Sequence, residues 1–257
     1  MILTIDAGNT NTVFGAFDDN DKQIFTSRVS TDNFRMEDQY AILISDILRL
    51  YSVETSAVKG VIISSVVPPV TIQLKAAIEK ICGCKALTVN PGIKTGLNIK
   101  IDDPSSLGAD MVSVAVGVKA RYPLPAVVID LGTATKIFAI DKTGAFVGGI
   151  IAPGVKISAE ALAAKTAALP LIGITGEPIR KVIGTDTIGS MRSGLLNGAA
   201  YMIDGFAQNF EREIGEKCTF IATGGFSEVV RPLCKTEMIL DDDLILTGLL
   251  EIYKKNA

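Results

Sequence analysis

Asp6 closes the first apolar run of the chain, in MILTIDAGNTNTVFGAF, and Gly8, Asn9 and Thr10 follow it. A second string of the same kind, VVIDLGTATKIFAI, places Asp130 ahead of Gly132, Thr133, Ala134 and Thr135. Each is a carboxylate at a strand end followed by a small polar turn. Glycine has no Cβ, so backbone N–H groups in such a turn can approach a phosphate oxygen closely. Asn9, Thr10, Thr133 and Thr135 add side-chain donors. Asp6 is a hard oxygen ligand, suited to magnesium directly or through water. These parts suit phosphoryl transfer, which needs positioning and charge neutralisation more than covalent chemistry. A third glycine turn, ATGG at 222–225, also follows an apolar run and could border an adenine or ribose.

The chain contains no His. That removes His-dependent triads, a His general base and the common Cys/His zinc sets. Asp110, in LGADM, is the candidate base for a substrate hydroxyl, although a carboxylate near a helix start also serves the helix dipole. Asp102, Asp103, Asp241, Asp242 and Asp243 read as solvated loop acids or caps. Lys136 follows the second turn inside an apolar strand, where it either reaches phosphate or points outward. Cys82 and Cys84 form a C-x-C pair, and with Cys218 and Cys234 they read as ordinary reduced thiols.

Positioning these residues falls to a core of Ile, Leu, Val and Ala. Of 257 residues 48% are hydrophobic, Trp is absent and the net charge is −3. That balance argues against a general nucleic-acid binder, which needs a basic stripe. Asp6 interrupts any signal-peptide core, and no run approaches the roughly 18 to 20 apolar residues of a membrane span, so the expected location is cytoplasmic, with no membrane.

Strands are expected at 2–5, 12–17 and 23–30, then a helix over 36–50 with Tyr40, Ile44, Ile47 and Leu48 at helical period. A strand at 58–66 leads through Pro68 and Pro69 into a helix, followed by a strand at 84–90. Asp103 or Ser105 then caps a helix reaching Tyr122. The second half begins the same way, with strands at 126–130, 136–140 and 145–151. After Pro153 come a helix containing ISAEALAAKTAAL, a long helix over 187–214, a strand at 218–225 and a last helix over 244–253.

The element order repeats around the two turns, with Asp6 matching Asp130 and Gly8 matching Gly132. The expected fold is therefore α/β: a duplicated actin-like, ribonuclease-H-like two-lobed architecture with mixed sheets flanked by helices. The expected lobes are 1–122 and 123–257, with the two turns facing one another across a cleft.

Eight blocks occur in order: DAGNTNTVFGAF, SSVVPPV, PGIKTGLNI, DPSSLGAD, DLGTATKIF, GGIIAPGVKISAEALAAKTAALP, SMRSGLLNGAAYMIDGF and ATGGFSE. Together they resemble the type III pantothenate kinase family over essentially the full chain. The resemblance implies a usually dimeric kinase that phosphorylates pantothenate with ATP, magnesium and a monovalent cation (potassium or ammonium), the first step toward coenzyme A. On matching positions it makes Asp6, Gly8, Asn9 and Thr10 the first phosphate turn, and Gly132, Thr133, Ala134 and Thr135 the second. It makes Asp130 the monovalent-cation ligand, Asp110 the catalytic base, and Gly108, Ala109, Met111 and Thr166 neighbours of pantothenate. Two positions depart from the family pattern. Met111 stands where an Arg holds the pantothenate carboxylate, and Ile101 where a Tyr is usual. A kinase for a different hydroxyl acceptor and a catalytically silent nucleotide-binding homologue are the alternatives these departures leave open.

Overall fold

The apolar run ending in Asp6 forms β1 (Ile2–Ala7) and turns back into β2 (Asn11–Phe17) and β3 (Gln23–Ser30). These three strands are antiparallel in sequence, while β4 (Gly60–Ser65) pairs parallel to β1 and β5 (Ala86–Thr88) parallel to β4. The sheet order is β3-β2-β1-β4-β5. The structure, a computed structural model, describes residues 1–175 and 181–257. Its chain groups into one unit of Met1–Leu97, Asp102–Arg121 and Asp243–Ala257, and a second of Asn98–Ile101 and Tyr122–Asp242.

Alternation along β1 assigns its two faces. Leu3, Ile5 and Ala7 are buried in one cluster with residues of α1 (Glu37–Leu50) and α2 (Pro68–Cys82). Tyr40, Ile44, Ile47 and Leu48 form the buried stripe of α1, as their spacing requires. Pro68 and Pro69 open α2, where an N–H would have no helical partner, and Gly83 ends it in a left-handed turn. Leu74 is fully buried on α2, and Leu74→Ala would cost about 2–5 kcal/mol.

The other face of β1 carries Thr4 and Asp6. There α3 (Ala109–Arg121) and α7 (Leu244–Lys254) cover the sheet. A Cβ on Gly15 would meet the Leu246 side chain at 2.7 Å, and one on Gly60 would meet the Tyr253 hydroxyl at 1.8 Å. Gly248 lets α3 and α7 touch backbone to backbone, because a Cβ there would stand 1.7 Å from Ser113 O. The helix expected to run unbroken to Tyr122 is instead split. The Asp103 carboxylate accepts the Ser105 N–H at 3.0 Å and fixes a short 3-10 turn, Pro104–Ser106. Leu107 is extended, and α3 starts only at Ala109.

In the second unit β7 (Ala126–Leu131), β8 (Ala134–Ile140) and β9 (Ala145–Pro153) repeat the antiparallel trio, and β10 (Thr219–Thr223) and β11 (Ile239–Leu240) repeat the parallel pair. A short strand, β6 (Asn98–Ile99), adds to β9, giving β11-β10-β7-β8-β9-β6. The repeat extends to its irregularities. The β2/β3 pairing skips Ile24 and the β8/β9 pairing skips Val147, each beside the last residue of the middle strand. Val127, Ile129 and Leu131 pack with α4 (Val155–Lys165), α5 (Thr187–Ile214) and residues around the short α6 (Ser227–Val230). Asp186 caps α5 by accepting the Gly189 N–H at 2.8 Å, and Gly215 ends it.

The grouping departs from a division at 122/123 at Tyr122, which falls in the second unit, and in two longer segments. Asn98–Ile101 belongs to the second unit because β6 pairs with β9, and α7 belongs to the first because its apolar side packs on α3 and β1.

Candidate phosphoryl-transfer site

Asp6 is half-buried, second from the end of β1, and pairs across to Val13 of β2 and Ser64 of β4. Ser64 is fully buried, and its Oγ makes no hydrogen bond among the described residues. Register places both side chains on the face covered by α3, the helix that carries Asp110 in its first turn. Asp110 is half-buried, and its Oδ1 accepts the Met111 N–H at 2.8 Å. Ser64 was not legible as a site residue, because a serine ending an apolar strand is common and only the parallel register puts it beside Asp6.

The first turn is tied from behind by Thr31. Its hydroxyl donates to Gly8 O at 2.6 Å and lies 2.9 Å from the Thr12 hydroxyl, and its N–H donates to Thr10 O at 3.0 Å. Gly8 N–H donates to Asn11 O at 3.0 Å and closes the turn. Asn9 and Thr10 are exposed at the tip.

The second turn is one residue shorter: Ala7 faces Thr12 across the first, and Leu131 faces Thr135 across the second. Gly132 N–H donates to Ala134 O at 3.2 Å, so this glycine also closes its turn. Thr133 is exposed and Ala134 half-buried. Thr135, expected as a donor, is only 1% exposed and shares the sheet face of Leu131 and Ile137, under the helices. Alternation puts Thr135 on the sheet face opposite to that of Asp130 and Lys136. Gly154 backs the turn, since a Cβ there would lie 2.2 Å from Thr133 O.

Asp130 occupies in β7 the place of Asp6 in β1. The third glycine turn closes on it. Phe226 N–H donates to Leu131 O at 3.0 Å, and Gly224, at φ 92°, would place a Cβ 2.7 Å from Asp130 Oδ1. Lys136 donates its Nζ to Asp130 Oδ2 at 3.0 Å, which settles its orientation toward the carboxylate.

The remaining candidates separate. Gly108 and Ala109 are half-buried at the head of α3, and Met111 is 9% exposed at the start of that helix's buried run. Thr166 is exposed at the end of α4, with its hydroxyl donating to Leu162 O at 2.8 Å. Asp103 and Asp243 flank helical turns, and Asp241 accepts the Tyr122 hydroxyl at 2.7 Å, all structural roles. The four cysteines are free, and burial pushes Cys82 up to about 11 and Cys234 up to about 12, far from the thiolate a nucleophile needs.

A metal fits one of the two aspartates. No cluster of three or more Asp, Glu or Cys able to hold a metal occurs among the described residues. Magnesium in phosphoryl transfer asks for less, one or two carboxylates plus phosphate oxygens and water. Asp6, with the orphaned Ser64 hydroxyl beside it, fits that demand. Asp130 does not fit a free monovalent cation in the same way, because an ammonium group already sits on its Oδ2.

Two units of one topology, each ending its first strand in an aspartate-glycine turn, define the actin-like, ribonuclease-H-like two-lobed fold. Component A of (R)-2-hydroxyglutaryl-CoA dehydratase from Acidaminococcus fermentans shares this fold, with a TM-score of 0.58 at 15% identity, covering 100% of this chain and 99% of that one. The family model for type III pantothenate kinase matches residues 2–209. The type III pantothenate kinase of Syntrophus aciditrophicus is 39% identical over 257 residues, 100% of both chains. That of an Exiguobacterium strain is 40% identical over 256 residues, 100% of this chain and 99% of its own. The chain belongs to the type III pantothenate kinase family, a family of phosphotransferases.

Proposed function

We propose that the protein transfers the γ-phosphoryl group of ATP to pantothenate, giving 4'-phosphopantothenate and ADP, the first step toward coenzyme A. The observation that carries the reading is the repeated placement of Asp6 and Asp130, each second from the end of the first strand of its unit and each leading into a glycine turn. Family membership supports the acceptor.

Asn9 and Thr10 of the first turn, with Thr133 and Ala134 in the second, are the proposed contacts to the nucleotide phosphates, the second turn being shaped by Gly132. Gly8 shapes the first turn. Asp6 is the proposed magnesium residue, and bound magnesium would neutralise charge on the transferring phosphates. Asp110 accepts the proton of the pantothenate hydroxyl as its oxygen bonds to the γ-phosphorus. The bond to the bridging oxygen breaks, and that oxygen leaves with ADP. With no His in the chain, a carboxylate is the available base. Gly108, Ala109, Met111 and Thr166 are the proposed pantothenate neighbours. A potassium or ammonium ion at Asp130 is left out of the proposal, because that carboxylate already holds a lysine.

A homodimer completes the reading. Ile183, Ile188 and Tyr201, in and just before α5, are exposed apolar residues that a second copy would cover. Light scattering on the purified protein checks the mass. No helix among the described residues is long and apolar enough to cross a membrane.

The direct test is purified protein with ATP, magnesium and millimolar pantothenate, read by mass spectrometry. Absence of 4'-phosphopantothenate overturns the reading. One observation favours a second acceptor class: the buried, apolar Met111 cannot supply the charged contact of the family's Arg. ADP release across a panel of hydroxylated amides and acids decides between them.

A further inference from the structure

The two aspartates hold the same place in their units but face different strand partners. Val13 stands opposite Asp6, whereas Lys136 stands opposite Asp130. Residues directly opposite in an antiparallel pair project from one face with Cβ atoms about 4.5–5.5 Å apart. A lysine there can lay its stem along the strand and bring its ammonium to the carboxylate. Lys136 does so: Nζ lies 3.0 Å from Asp130 Oδ2, with the two side chains only 19% and 18% exposed.

The other carboxylate oxygen is hemmed in by backbone. A Cβ on Gly224 would stand 2.7 Å from Oδ1, and one on Gly132 would stand 3.4 Å away. So Asp130 is approached on one side by two glycine turns and on the other by a fixed positive charge. A free potassium or ammonium ion would need this carboxylate's negative charge and would have to displace Nζ to obtain it. The lysine head has the same unit charge as those ions and is likewise compact and strongly hydrated. Being covalently carried, it is present at every salt concentration.

We propose that Lys136 is the built-in monovalent cation of the second turn, neutralising Asp130 and supplying the fixed positive charge beside the nucleotide that a free potassium or ammonium ion would otherwise supply. The proposal rests on the reading of this turn as phosphate-binding, and it makes nucleotide binding independent of potassium.

The test measures binding of a non-hydrolysable ATP analogue with magnesium by calorimetry, in potassium chloride and in N-methylglucamine chloride of equal ionic strength. Wild-type protein is expected to bind equally in both. Lys136→Thr, which removes the ammonium and opens space, is expected to lose about tenfold in affinity, equivalent to about 1.4 kcal/mol, without potassium and to regain it with potassium. Thallium-205 resonance should detect an ion on Lys136→Thr and none on wild type. Lys136→Arg, which keeps the charge, is expected to stay insensitive to potassium, and it carries the test if Lys136→Thr fails to fold. Wild-type affinity that rises about tenfold with potassium overturns the proposal, as does a Lys136→Thr loss that potassium does not restore. Because the readout is nucleotide binding, a protein that binds the analogue but phosphorylates no pantothenate sinks the acceptor reading and leaves this one measurable. Absence of nucleotide binding in every salt overturns both.

Discussion

Replacing Asp110 by Asn separates the catalytic duty of this residue from its helix-start duty. Asp110 Oδ1 accepts the Met111 N–H at 2.8 Å, and an Asn side-chain oxygen can accept the same bond. What the first turn of α3 loses is a negative charge near a helix N-terminus, worth about 0.3–1 kcal/mol. For a chain of this size that lowers Tm by roughly 4 °C or less. The amide cannot take a proton, so loss of general-base catalysis should lower kcat by about 10² to 10⁴. In barrier terms that is about 2.7–5.5 kcal/mol, several times the stability term. The assay pairs rapid-quench measurement of 4'-phosphopantothenate with calorimetry of ATP-analogue binding and a thermal melt. The expected result is a near-native melt, near-native nucleotide affinity and a collapsed chemical step. Turnover above about a third of wild type would lie far outside the general-base range and would remove Asp110 from the chemistry. A fall in Tm beyond about 10 °C would show that its carboxylate holds the fold instead.

Met111→Arg should lower the KM for pantothenate by about tenfold to a hundredfold, the worth of a charged hydrogen bond, with little change in kcat. Because Met111 is buried, the longer side chain should also cost about 1–3 kcal/mol of stability, and pairing it with Ile101→Tyr restores both family residues; an unchanged KM in both variants refutes the lost-contact reading. Thr31→Val removes the hydroxyl that holds Gly8 O, and should cost about 0.5–1.5 kcal/mol in urea unfolding while weakening ATP-analogue binding; unaltered binding would show that the turn holds its shape without it. Asp204 gives a pH prediction. Burial pushes its carboxyl up, but the N–H groups of Lys235 and Thr236 more than offset this and hold it below the usual carboxylate range. A depressed folded-state pKa stabilises above the unfolded value of about 3.9, and that stability is lost as pH falls through the folded value. The stability gap between wild type and Asp204→Asn should therefore narrow in urea melts as pH drops below about 4, and a gap constant with pH refutes the assignment.

Much of the fold was written in periodicity. The strand at 23–30 and the helix at 187–214 have the limits expected of them, because alternation and Gly215 mark their ends unambiguously. The two short strands β6 and β11 were invisible, since two residues carry no period and exist only through their neighbours. Asp103 misled because a cap followed by proline signals a helix, and only the extended Leu107 shows that the turn stops. At the site, Asp6, Asp130 and Asp110 stood out by type and spacing. Thr31, Ser64 and the orientation of Lys136 did not, because each acts through a neighbour that only strand pairing brings close. The burial of Thr135 was not legible because a motif lists residues in a row, whereas a strand sends successive side chains to opposite faces.

The return of α7 to the first unit bears on how the molecule is made. Domains generally fold as they leave the ribosome, with N-terminal ones first. Here the earlier unit needs Leu246, Leu249, Leu250 and Ile252, which are translated only after the whole of Tyr122–Asp242. The sheet bearing Asp6 and the helix bearing Asp110 therefore wait for the last helix to seal them. During synthesis the second unit can be complete while the first still exposes Val13 and Phe17, the apolar surface that α7 covers. A nascent chain arrested before α7 should hold a protease-resistant second unit and a first unit that proteases and chaperones still recognise as unfinished.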